Sequence, residues 1–320
     1  MNRAHLAKRS SNGPLRVATA VVALVAAACS HAPAKVATRA TTTSSSAPST
    51  STTTTAAPAT TTVTAPRPTT TAAPVSRLQA AVNQFAAGQS VPFDVVVHDY
   101  RTGNRASLRS TRVVLSASLY KLFVARELFR RIHEGQLSPD APINDADGHT
   151  VGQCLDLMIT VSSDECGVAG LNMVGKGNLD PSIHAQGYPG TFLASPQRTS
   201  AADVALFFER LREGTLLPQP EVDTLRSYLE RQQVNDRLPQ GLPPGTRIAH
   251  KTGDRYGWAH DAGIVHAPTG DYLIVVLSGA WPGKCCYPNP PGEAPPAAFP
   301  AIAKLSAVVY DVVTSTTSTG

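Results

Sequence analysis

Acidic side chains are missing from the first 76 residues, which hold seven basic ones: Arg3, Lys8, Arg9, Arg16, Lys35, Arg39 and Arg67. The formal charge of +5 on the 320-residue chain therefore belongs to that segment. The remainder carries 21 basic against 23 acidic residues, which argues against a nucleic-acid groove. Aromatics make up only 6% of the chain and are absent between His31 and Ser76, where 39 of 46 residues are Ala, Pro, Ser or Thr. Such a stretch cannot bury enough apolar surface to offset the entropy of ordering it. No apolar run reaches the roughly 20 residues of a membrane-spanning helix. With only five cysteines, the chain also lacks the spacing of a zinc site: Cys285 and Cys286 are adjacent, and no His pair flanks any cysteine in a ligand pattern.

Three segments follow. Residues 1–28 read as an export signal: four basic residues, then a twelve-residue apolar run from Val17 to Ala28 that ends in small residues before Cys29. The ending Ala-Ala-Ala-Cys resembles a bacterial lipobox, in which Cys29 is lipidated and holds the protein to the outer face of a membrane. Ala26 stands where Leu is usual, so cleavage at Ala-x-Ala and simple secretion is the other reading. Residues 29–76 are expected to form a disordered Thr/Ser/Ala/Pro-rich tether with a reach of about 40 Å as a flexible coil. Residues 77–320 are long enough to bury a full core as one domain with a subdomain. Cys154, Cys166, Cys285 and Cys286 suit two disulfides in an exported domain, with three possible connectivities.

In the body, apolar spacing predicts helices at Arg77–Ala87, Leu119–Ile132, Val151–Thr160, Ser200–Arg212, Glu221–Gln232 and Pro300–Val313. Strands are expected at Val91–Tyr100, with a hairpin turn at Thr102-Gly103-Asn104, and at Arg247–Thr252, Ala262–His266 and Tyr272–Ser278. This order points to an α+β fold, a five-stranded antiparallel sheet flanked by the N- and C-terminal helices, with an all-helical subdomain inserted between its strands. A cleft between the two parts is the natural place for a site.

The chemistry is concentrated in three motifs. Ser118-Leu119-Tyr120-Lys121 is an S-x-x-K at a helix start, where the helix N-terminus favours a developing alkoxide and Lys121 can reach the hydroxyl. Lys251-Thr252-Gly253 ends a strand. Between them, Ile159-Thr160-Val161-Ser162-Ser163-Asp164 closes a helix with a polar turn that offers a third hydroxyl. Order and content resemble the class A β-lactamases and the related penicillin-binding D-alanyl-D-alanine peptidases, whose signature is S-x-x-K, S-D-N, K-T-G.

The resemblance implies that Ser118 is the acylated nucleophile, Lys121 its base and Ser162 the serine of the second motif, with Asp164 at its Asn position. Ser163-Asp164-Glu165 is the alternative register. Lys251, Thr252 and Gly253 would hold the substrate carboxylate, and the N–H groups of Ser118 and Asp254 would form the oxyanion hole. No cofactor or metal is called for. The implied partners are a peptidoglycan stem peptide or a β-lactam, with a membrane contacted through Cys29.

Two departures qualify the resemblance. Asp164 replaces a donor amide by an acceptor, and a carboxylate there is expected to raise the pKa of Lys121. No Glu occurs between Cys166 and Phe208, so the loop Lys176 to Arg198 offers only Asp180 to activate a deacylating water. Slow deacylation is expected. A true β-lactamase and an inactive cell-envelope binding lipoprotein are the alternatives. His260, Arg255 and Trp258 flank the third motif, His260 more as a structural hydrogen-bonding group and Trp258 as a packing residue.

Overall fold

The computed structural model describes residues 76–279, 281 and 297–315. The signal, Cys29 and the tether up to residue 75, together with Cys285 and Cys286, lie outside the described residues. In chain order the elements are α1 (Arg77–Ala87), β1 (Phe93–Asp99), β2 (Arg105–Leu108), β3 (Val114–Leu115), a 3-10 turn (Ala117–Leu119) and α2 (Tyr120–His133). There follow α3 (Val151–Thr160), α4 (Asp164–Val174), α5 (Asp180–Ala185), β4 (Arg198–Thr199), α6 (Ala201–Glu213) and α7 (Gln219–Glu230). The chain closes with β5 (Arg247–Arg255), β6 (Trp258–Ala267), β7 (Gly270–Ser278) and α8 (Ala298–Thr314).

Five strands form one antiparallel sheet in the order β2-β1-β7-β6-β5. Its central strand β7 sends Tyr272, Ile274 and Val276 into a core shared with Val82 and Phe85 of α1 and Leu305 and Val309 of α8. Leu273, Val275 and Leu277 point the other way, into a core with Phe207, Phe208 and Leu211 of α6. A strand covered on both faces is apolar at successive positions, which is why Tyr272–Leu277 carries no period of two. The expected architecture is the observed one: terminal helices on one face, and the helical block α2–α7 inserted before β5. Local signals set several helix starts. Ser76 Oγ accepts from the Gln79 N–H at 3.1 Å, and Thr150 and Gln153 form a reciprocal capping box.

Two helices were not foreseen by periodicity, α4 and α5. Helix α4 contains Gly167 and Gly170, which weaken its intrinsic propensity. Both glycines are required by packing on α2. A Cβ at Gly167 would stand 2.4 Å from Lys121 Cε, and one at Gly170 would stand 3.0 Å from Val124 Cγ1. The close approach brings residues 162–164 over Lys121. Strands β5 and β6 also run further than propensity alone indicates, to a hairpin in which Tyr256 and Gly257 both take positive φ, 48° and 77°.

Of the pairings open to the cysteines, Cys154–Cys166 is present and ties α3 to α4 across a sequence separation of 12. The closed loop contains Ser162, Ser163 and Asp164. A loop of this size is worth about 3 kcal/mol in the chain-entropy account. The double variant Cys154→Ser, Cys166→Ser is expected to lose about that much in denaturant unfolding, and the same loss should appear on adding reductant to the wild type but not to the variant.

Candidate active site

The 3-10 turn places Ser118 at the foot of α2, with Ala117 before it in the left-handed region at φ 45°. A non-glycine residue held there is strained, and such strain persists only where the surroundings fix it. Here β5 fixes it. A Cβ at Gly253 would come within 3.0 Å of the Ser118 nitrogen and 3.2 Å of the Leu119 nitrogen, so only glycine lets the strand cross the turn this closely.

Lys121 Nζ lies 3.0 Å from Ser118 Oγ, 2.7 Å from Asp164 Oδ1, 2.7 Å from the Ser162 carbonyl oxygen and 3.5 Å from Ser162 Oγ. Lys251 Nζ donates to Ser162 Oγ at 2.8 Å and to the Thr252 carbonyl at 2.9 Å. Ser162 therefore bridges two lysines that are both wholly buried. It too is left-handed, at φ 58°. Ser163, the other candidate in the second motif, caps α4 by accepting from the Cys166 N–H at 3.2 Å. The register is thus the one with Ser162 facing the lysines.

Burial lowers the pKa of Lys121, and Asp164 pulls it back up; burial wins, so the lysine sits below its ordinary value. This corrects the expectation that Asp164 would raise it overall. Lys251 lies well below its ordinary value, first through burial and then through the charge of Lys121. A lysine held below its ordinary value, 3.0 Å from a serine hydroxyl, is placed to act as a base toward it, and the second lysine to meet an anion.

Thr252 and Gly253 are buried in β5, and Asp254 follows them at its end. Asp254 is held by Arg237, a side chain that sequence reasoning missed. Arg237 is 1% exposed and donates to the carbonyls of Gly253 (3.3 Å) and His260 (3.0 Å) as well as to Asp254 Oδ1. It stacks over Phe299 at 4.1 Å. Nothing local marks it, because all these partners are remote in sequence.

His260 is fully buried, with Nε2 donating to the Leu115 carbonyl at 2.8 Å and Nδ1 accepting from the Ser278 N–H. Burial pushes its pKa down to about 4, so it is a neutral structural group. Arg255 is exposed and lies against the Tyr256 ring. Asp180 accepts from the N–H groups of Leu193 (2.7 Å) and Ala194 (3.4 Å), which makes it a latch for its own loop. Asp145, His149, Cys154 and Cys166 cluster within ligand distance of one another, but the two sulfurs are bonded together and offer no thiolate.

Sheet, inserted helices and the serine–lysine array define the fold of the penicillin-recognising serine enzymes. The chain matches the Beta-lactamase enzyme family over residues 75–313, and it belongs to that family. Among solved structures it is similar to PBP-A, at 23% identity over 75% of this chain and 97% of that one, with a TM-score of 0.65. A mutant of PBP-A, at 23% identity over 73% of this chain and 95% of that one with a TM-score of 0.64, was solved as an acyl-enzyme complex with penicillin G. A β-lactamase from Chitinophaga pinensis aligns at 18% identity over 75% of this chain and all of that one, with a TM-score of 0.66. None of the curated proteins compared with the chain matches it.

Proposed function

We propose that the protein is a serine acyl-transfer enzyme that recognises D-alanyl-D-alanine-type peptides and penicillins, and that Ser118 carries the acyl group. The observation that supports this most is the convergence of Ser118 Oγ, Lys121 Nζ, Ser162 Oγ and Lys251 Nζ in one hydrogen-bonded array. Lys121 takes the Ser118 proton as the hydroxyl oxygen attacks the carbonyl carbon. The N–H groups of Ser118 and Asp254 receive the oxyanion, and Ser162 returns a proton to the leaving nitrogen. Lys251, with Thr252 and Gly253, takes the substrate carboxylate.

Deacylation is slow in this reading. Asp180 is committed to the N–H groups of Leu193 and Ala194, and Asp203 Oδ2, at the start of α6, to the Gly190 N–H and the Thr191 hydroxyl, so neither carboxylate is free to activate water. Membrane tethering through Cys29 belongs to the same proposal.

Intact mass of the protein with penicillin G over time, beside Ser118→Ala, tests it. A persistent adduct on the wild type alone is expected. Catalytic loss of the drug without an adduct would make the protein a β-lactamase, and neither adduct nor loss would leave a tethered binding protein.

A further inference from the structure

Asp164 presents a carboxylate beside the nucleophile with one oxygen held and the rest open to solvent. Its Oδ1 accepts from Lys121 Nζ, while the side chain remains 68% exposed. Lys121 Nζ in turn touches Ser118 Oγ, so a single ammonium separates the carboxylate from the attacking oxygen. Contacts run from Asp164 through Lys121 and Ser162 to Lys251, with the exposed carboxylate at one end and the buried lysine at the other. We infer that the acyl donor is a small zwitterion with a free α-ammonium group, which Asp164 binds beside the attacked carbonyl while Lys251 binds the carboxylate of the leaving residue. This deepens the serine-acylation reading above and rests on it.

The chemistry favours an ammonium over an acylated nitrogen at this position. In an attacking pose the carbonyl carbon stands about 3–3.5 Å from Ser118 Oγ, and the α-nitrogen is two bonds further on, within reach of Asp164. An ionised carboxylate only accepts hydrogen bonds, so it gains a charge-assisted bond from an ammonium but only one neutral N–H bond from an N-acyl nitrogen, whose carbonyl it disfavours. N-acyl donors such as penicillin G are therefore poorer acyl donors here, not excluded ones. The ammonium also acts on the base. Asp164, by charge and hydrogen bond, is the larger of the two carboxylates that oppose the loss of the Lys121 proton, Asp254 being the other. A donor that takes over Asp164, and adds its own positive charge nearby, frees the buried lysine to lose that proton. The substrate thereby assembles its own base.

With a D-aminoacyl ester as donor, Ser118 Oγ bonds to the carbonyl carbon and its proton passes to Lys121. The C–O bond of the ester breaks, and the leaving alkoxide receives that proton through Ser162. Water later cleaves the aminoacyl-serine, so the sum is hydrolysis to the amino acid and the hydroxy acid.

Hydrolysis of D-alanyl-D-lactate and N-acetyl-D-alanyl-D-lactate by the full chain tests the inference, each followed by lactate release and by the mass of the Ser118 adduct. Wild type is expected to favour the free ammonium by at least tenfold in kcat/KM, and Asp164→Asn to favour the N-acetyl ester by a similar factor. The ratio cancels any effect of the substitution on Lys121 that both esters share. The wild-type preference should also fall as the pH rises past the α-ammonium pKa, near about 8, and the variant's ratio should stay flat. A wild type that prefers the N-acetyl ester, a ratio unmoved by Asp164→Asn, or a Ser118 adduct with penicillin but with neither ester would overturn the inference alone. No adduct with penicillin or either ester would overturn the acylation reading with it.

Discussion

Lys121→Met is expected to slow acylation by penicillin about 10²–10⁴-fold, the range over which a positioned general base contributes, while leaving the protein at least as stable as the wild type. The second half of that expectation is what makes the first interpretable. Lys121 is wholly buried, and its stem fills the slot opened by Gly167, whose missing Cβ would overlap Lys121 Cε. Met fills the same slot without a charge to desolvate, whereas Ala would leave a cavity worth about 2–5 kcal/mol. Asp164 loses its partner but is mostly exposed, so water replaces the ammonium at little expense.

The pH dependence follows with its sign. Lys121 and Lys251 both lie below the ordinary 10.5 in the folded protein. Between the depressed values and 10.5 the unfolded chain binds more protons than the folded one, so stability rises with pH across that window and levels off above it. The methionine variant should show a shallower rise, with the Lys251 share remaining. Acylation by the wild type should rise with pH through the depressed Lys121 value and reach its plateau before 10.5. A variant that unfolds more readily yet acylates at the wild-type rate would remove Lys121 from the chemistry.

Much of this site was legible because its members are local words in the sequence. Ser118 and Lys121 are three residues apart at a helix start, and Lys251-Thr252-Gly253 ends a strand; the structure joins both to Ser162. The starts of α1 and α3 were legible from apolar spacing, and the structure adds the caps that fix them, Ser76 and the Thr150–Gln153 box. Features that depend on what packs against them were not. The two glycines of α4 disguise a helix whose start, Ser163-Asp164-Glu165, is otherwise ordinary, and only the presence of α2 explains them. In the sequence, Ser162 is preferred to Ser163 through the resemblance alone, since the left-handed backbone that turns it toward the lysines is one no local propensity favours. The sign of the Lys121 shift turns on burial, which belongs to the assembled fold, so a contact read correctly from the sequence, Asp164 with Lys121, led to the wrong net direction.

Arg237→Ala should be the most destabilising of the substitutions considered, by about 3–5 kcal/mol, because it removes one partner from a buried ionic arrangement. Asp254 loses its guanidinium contact. Asp236, whose pKa burial already raises against the pull of Arg237, loses that pull too; its Oδ1 lies 3.1 Å from Arg237 Nε but too poorly aligned for a hydrogen bond. Two carbonyls and the face of Phe299 lose the same partner. Lysine will not rescue it, since one ammonium cannot reproduce a planar fork that meets Gly253, His260 and Asp254 together. The effect should reach beyond stability. Gly253 crosses directly over the Ser118 nitrogen, and Arg237 holds the Gly253 carbonyl and the Asp254 side chain where that crossing occurs. Measured at a temperature where denaturation curves show the variant still folded, its acylation by penicillin should be at least about tenfold slower, the order of effect seen when a positioning contact is loosened. Wild-type acylation by the folded variant would confine Arg237 to holding β5 against α8. Slow acylation with an intact fold would make it the residue that sets the distance between the third motif and the nucleophile.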